Sequence, residues 1–151
     1  MELTSQAFEN GARIPSRYTC DGENIHPPLE IKDIPEGVHS LVLVVEDPDV
    51  PLHLRQDGLW IHWVVFDIEP KDQHVEEGVG FSTGKEALTT YGKPGFGGPC
   101  PPDREHRYFF RLYALDTKLG LDEQVTKFDI ENAMQGHVIE KVELMGRYER
   151  I

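Results

Sequence analysis

Three polar points interrupt apolar stretches of this chain: Asp47 in EDPDVP, His62 in LWIHWVVFDI, and His106 with Tyr108 in HRYFF. A carboxylate at a strand end can orient an imidazole or accept a hydroxyl proton. An imidazole inside an apolar strand needs polar partners, because burying it without them is costly. A neutral imidazole donates one hydrogen bond, a protonated one two, and a tyrosine hydroxyl adds another donor. Brought together, Asp47, His62, His106 and Tyr108 would ring a pocket suited to a phosphate or carboxylate oxygen. Taken singly, each has a plainer reading. Asp before Pro48 starts a turn, and a lone buried histidine is more often satisfied by its core than functional.

The segment leading into His106 adds to the set. In YGKPGFGGPCPPDRE, residues 91–105, eight of the first fourteen residues are Gly or Pro. A structureless loop of that length is uncommon without a function. Glycines expose backbone N–H groups that can form an anion-binding concavity. The loop is therefore expected to wall a binding site.

Two other chemistries use the same residues. Asp47, His62 and His106 form a two-His-one-carboxylate set of the kind that holds some metals. The same three could supply an acid, a base and an orienter for hydrolysis, with Cys100 beside His106 as the nucleophile to test. No GxGxxG or P-loop points to a cofactor. The expectation is a binding protein, not an enzyme, with no metal and no cofactor.

These residues need a framework. SLVLVVED (40–47), LWIHWVVFDI (59–68) and HRYFFRLYALD (106–116) read as strands, with shorter ones at PPLEI (27–31) and ELMGRYER (143–150). On 59–68, strict alternation places Trp60, His62, Val64 and Phe66 on one face, and Ile61, Trp63 and Val65 on the other. One stretch, TKFDIENAMQGHVIEKV, reads as a helix. Thr126 and Asp129 have capping-box spacing, Phe128, Ile130, Ala133, Met134 and Val138 give the apolar pattern, and Gly136 weakens or shortens it. The result is a mostly β, antiparallel, single domain over residues 1–151.

Charge and composition narrow the partners. Net charge is −12, from 27 acidic and 15 basic residues, which disfavours nucleic acid and anionic membrane surfaces. No apolar run is long enough to span a bilayer, and the N-terminus lacks signal-peptide character. The expected location is cytoplasmic. There the two cysteines, Cys20 and Cys100, are expected to be reduced thiols rather than a bridge.

Three motifs in order, DPDVP (47–51), WIHW (60–63) and GPCPPDREHRY (98–108), resemble the signature regions of the phosphatidylethanolamine-binding protein (PEBP) family. CDGENIHPPLEI (20–31) and GHVIEKVELMGRYER (136–150) are similar to its bacterial and archaeal, Raf-kinase-inhibitor-like branch. The resemblance implies a large central antiparallel sheet, a smaller second sheet, few short helices and an anion pocket at one sheet end. By motif position it implies pocket roles for Asp47, Pro51, His62, Gly98, Cys100, His106 and Tyr108, with a cis bond before Pro51. It also implies a small phosphorylated or carboxylate ligand, a protein partner in a kinase or protease pathway, and a homodimer. The chain stops soon after GRYER, without the long C-terminal helix of animal members, which implies a more open pocket.

Overall fold

The computed structural model describes residues 1–150. The apolar runs form strands β1 (Glu2–Thr4), β2 (Leu29–Lys32), β3 (Ser40–Asp47), β4 (Trp60–Ile68), β5 (Gln73–Val75), β6 (Lys85–Glu86), β7 (His106–Leu115) and β8 (Val138–Tyr148). Helix α1 (Lys127–Met134) precedes β8. Five strands make the large sheet, in the order β6-β4-β3-β7-β8, and three make the small one, β1-β2-β5. All their pairings are antiparallel. The mostly β fold with two sheets and few helices is as expected.

Strand β3 is buried along its whole length, as befits a central rung of β-branched and apolar residues. Its neighbours run against it, so its last residue meets the starts of both. Asp47 pairs with Trp60, and Glu46 pairs with Phe109. This antiparallel geometry gathers Asp47, His62 and His106 at one end of the sheet.

Each face of the large sheet buries its own core. On one face Leu41, Leu43, Trp63, Val65, Tyr108 and Phe110 pack against the small sheet through Leu29, Ile31 and Val75. On the other, Val42, Val44, Val64 and Phe66 are covered by Ile130 and Met134 of α1. The capping box forms, with Asp129 N–H donating to Thr126 Oγ1 and Thr126 N–H to the Asp129 carboxylate. The helix is shorter than its sequence pattern: Gly136 takes a φ of +79° just after it, and Val138 already belongs to β8. Phe128 is exposed.

Strict alternation along β4 fails at two places. Val45 pairs with Trp63 but Glu46 with Ile61, leaving His62 as the extra residue of a bulge. A second irregularity lies between the pairs of Leu41 and Leu43, where Asp67 has a φ of +55°. Ile61, Val64 and Phe66 therefore share one core, while Trp63, Val65 and Ile68 share the other. No described helix is long and apolar enough to cross a membrane.

Candidate anion-binding site

The gathered strand ends border a cavity of about 180 Å³. Asp47, His62, His106 and Tyr108 line it, with Trp60, Tyr91 and Cys100. Its outer wall is Val50, Leu54, Pro101 and Pro102.

His106 is completely buried and holds both ring nitrogens against carboxylates. Nδ1 lies 2.6 Å from Asp47 Oδ2, and Nε2 lies 2.7 Å from Asp103 Oδ1. Carboxylates only accept, so an imidazolium donating to both satisfies the trio, as does a neutral ring with one protonated acid. Burial raises the Asp47 carboxyl above its usual range, against the bonds it accepts from His106 and the Asp49 N–H. Asp103 is in the open. There desolvation is the largest single influence and pushes its carboxyl up, but the bonds from His106 and the Arg104 backbone, with the charges of both residues, together outweigh it and hold the carboxyl below the usual range. Asp49 locks the turn after β3 by accepting two hydrogen bonds from the Arg107 side chain, at 2.8 and 2.9 Å.

His62 is held by the bulge. Its Nδ1 lies 2.7 Å from the Gly97 carbonyl oxygen, and the Gly97 N–H donates back to the His62 carbonyl at 3.0 Å. An acceptor at Nδ1 fixes the proton there, so a neutral His62 presents a bare Nε2. Burial pushes its ionisation down to about 4, with His106 adding repulsion. Tyr91 Oη donates to the Gly98 carbonyl at 3.0 Å. Burial raises the Tyr108 phenol far above its ordinary range, with the Asp47 charge adding to it, so the hydroxyl keeps its proton.

Two polar atoms of this cluster, His62 Nε2 and Tyr108 Oη, are buried without a partner, and Trp60 Nε1 has only the Tyr91 side chain beside it. Native structures leave few such atoms, and each is costly unless something meets it. All of these residues line one cavity.

Two residues expected in the pocket sit behind its wall. The Gly98 N–H donates to Asn24 Oδ1 at 2.8 Å, so it is not free for a ligand. A Cβ on Gly98 would come 2.7 Å from the Tyr18 carbonyl oxygen, which explains the glycine by close packing. The N–H groups of Gly92 and Gly97 are also engaged internally, so the loop is a buttress rather than a row of free donors. Pro51 opens a turn by accepting from the Leu54 and Arg55 N–H groups, and Val50 and Leu54 face the cavity instead. The bond before Pro51 is trans, like all described peptide bonds.

The cysteines depart from expectation. Cys20 and Cys100 form a disulfide, with Cα atoms 5.4 Å apart across a sequence separation of 80. The loops carrying them are already joined, since the Cys20 N–H donates to the Pro99 carbonyl at 3.1 Å. This removes Cys100 as a nucleophile, because the thiolate is the reactive species. No group of three or more metal-ligating side chains is arranged around one point among the described residues.

Tyr91, Asp103 and Asn24 went unrecognised in the sequence. Tyr91 opens the Gly/Pro loop and Asp103 stands three residues before His106, where a carboxylate in reach of the imidazole was readable. Nothing local marks Asn24, which meets Gly98 across 74 residues.

A two-sheet β fold with a cavity lined by Asp47, His62, His106 and Tyr108 at one sheet end thus defines the class of protein. The chain belongs to the phosphatidylethanolamine-binding protein family, whose model matches residues 4–149. It is 50% identical over 150 residues to a UPF0098 protein of Chlamydia pneumoniae, covering 99% of both chains. It is 46% identical over 156 residues to one from Methanothermobacter thermautotrophicus, again covering 99% of each. Among solved structures it is similar to a putative PEBP homolog from Chlamydia trachomatis, with a TM-score of 0.95, 50% identity, and 99% and 97% of the two chains covered. An Escherichia coli protein described as a new member of the mammalian PEBP family gives a TM-score of 0.88 at 27% identity, covering 99% and 98%.

Proposed function

We propose that the cavity binds one small acidic group, a phosphoryl or a carboxylate, and that the protein acts by binding rather than by catalysis. The carrying observation is that His62 Nε2 and Tyr108 Oη, both buried without partners, belong to residues lining one cavity. Binding would supply the partners that the folded chain does not. The cavity of about 180 Å³ suits a single such group. Around its mouth Leu54 and Tyr91 are exposed, beside Pro101 and Pro102, so the group would carry an apolar substituent over this rim. With the cysteines paired, the hydrolase alternative loses the Cys100 thiol it called on, which favours binding.

Titration with phenyl phosphate, followed by NMR of the histidine and tryptophan side chains, tests the reading. Shifts confined to Trp60, His62, His106 and Tyr108 are expected, and a His62→Ala, Tyr108→Phe double variant should lose them. Unchanged affinity in that variant would sink the proposal.

A further inference from the structure

His26 stands apart from the cavity described above, and its hydrogen bonds fit only a neutral ring. The side chain is buried, with the ring stacked on Trp63 at 4.5 Å and edge-on to Phe96 at 6.1 Å. Nδ1 lies 2.9 Å from the Pro27 carbonyl oxygen, which only accepts, so the proton sits on Nδ1. Nε2 accepts the Gly80 N–H at 2.8 Å. The Gly78 N–H donates to the His26 carbonyl at 3.2 Å. Among the described residues, these last two are the hydrogen bonds that tie residues 78–82 to other segments, and both end on His26. The stretch is anchored just outside those residues, where Glu77 accepts from the Tyr18 hydroxyl at 2.8 Å and Thr83 Oγ1 from the Glu69 N–H at 2.9 Å.

A proton on Nε2 turns this acceptor into a donor and sets two N–H groups against each other. The ring has no room to turn away, since Trp63 and Phe96 pack on it. The segment has room: Val79 is exposed, and Phe81 rests on Trp63 with ring centres 5.7 Å apart. Two carboxylates act on the imidazole. Glu86 accepts from Trp63 Nε1 at 2.7 Å, and Glu77 also pairs with Arg17. Both favour an imidazolium, while Trp63 and Phe96 bring no charge. Burial outweighs the Pro27 carbonyl and the two carboxylates and lowers the His26 ionisation below its ordinary value, so the ring is neutral and bonded to Gly80 at pH 7.

We propose that residues 78–82 are an acid-released flap: neutral His26 latches it, and a proton on Nε2 frees it. Val79, Gly80 and Phe81 form one wall of a cavity of about 360 Å³ that Val65, Glu86 and Leu88 also line. Release opens that wall and uncovers the Trp63 ring. An unlatched His26 takes a proton at its ordinary value near 6.5, which the latched ring refuses. Below that pH the open fraction therefore rises about tenfold per pH unit, until the latched ring itself titrates.

Amide exchange followed by NMR between about pH 7 and 5 makes the test, each rate taken relative to an unstructured chain at the same pH. This range stays above the ionisation of His62, at about 4. Protection of the Gly78 and Gly80 amides is expected to fall about tenfold per pH unit below about 6.5. The Gly58 amide, bonded to the Arg55 carbonyl, is the control and should stay flat. His26→Gln keeps an acceptor for Gly80 that does not titrate in this range, and should abolish the slope. Flat Gly80 protection in the wild type would overturn the proposal, as would the same slope in His26→Gln. Gly80 protection equal to that of Val44 in β3 would also overturn it, because the segment would then open only with the whole fold. Should the variant not fold, the wild-type contrast decides, and equal slopes at Gly80 and Gly58 sink the flap.

Discussion

Nδ1 of His106 lies 2.6 Å from Oδ2 of Asp47, and both side chains are closed to solvent. The bond joins the end of β3 to the start of β7, so it holds the cavity floor as well as the ring. Asp47→Ala would leave a buried N–H and the Asp49 N–H unpaired, and is expected to cost about 3–5 kcal/mol, as for a broken buried pair. Asp47→Asn keeps an acceptor and should cost less, about 1–3 kcal/mol. Urea unfolding of the two variants checks the order.

His62 should write its burial into the pH dependence of stability. Its ionisation falls from an ordinary value near 6.5 to about 4 in the folded protein. Between those values the unfolded chain binds a proton that the folded one refuses, so stability rises with pH across this window and is flat above it. The contribution lost on going down to pH 4 is about 3 kcal/mol. Asp47, raised by burial, works oppositely in the acid range, so the comparison must be with His62→Gln. Wild type minus variant, from unfolding midpoints at pH 4 to 7, should show the slope; a flat difference would contradict it.

Tyr108→Phe separates folding from binding. The hydroxyl has no partner in the folded chain, and deleting it removes a buried unsatisfied group. Stability should be unchanged or rise by about 1 kcal/mol, while affinity for phenyl phosphate falls about 10-fold. Thermal melts and titrations on the same samples measure both.

How far the sequence carried the site depends on the range of the interaction. Asp47, His62, His106 and Tyr108 were readable because period-2 strands with polar ends gather their termini on one edge once they pair antiparallel. The facing of β4 was not, because a bulge inserts a residue without any local signal and flips every side chain beyond it. The role of Gly98 was misplaced for a similar reason. Its N–H is claimed by Asn24, 74 residues away, and no local pattern encodes that contact. Cys20 and Cys100 look like separate loop residues until the fold brings the loops together.

Gly98→Ala tests the buttress. The added methyl would meet the Tyr18 carbonyl oxygen at 2.7 Å and the Thr19 Cα at 3.0 Å, both backbone atoms with little room to move. A loss of about 1–3 kcal/mol is expected, typical of overpacking. Urea midpoints measure it, and wild-type stability in the variant would show that the loop is looser than its contacts imply.

The Cys20–Cys100 bond links the wall of the cavity to the segment that also holds Gly98. It closes a loop with a sequence separation of 80, and constraint on the unfolded chain grows with loop length. A Cys20→Ser, Cys100→Ser double variant should lose about 2–5 kcal/mol and release the loop against which Tyr91 packs. Removing both cysteines avoids leaving a free thiol in the cavity. The bond also bears on location, since cytosolic thiols are normally kept reduced. Alkylation at the moment of lysis, followed by intact mass, should give no modified cysteine. Two modified cysteines would return the chain to the reduced, cytoplasmic expectation, and the phosphate titration repeated on that form would show whether the cavity needs its tether.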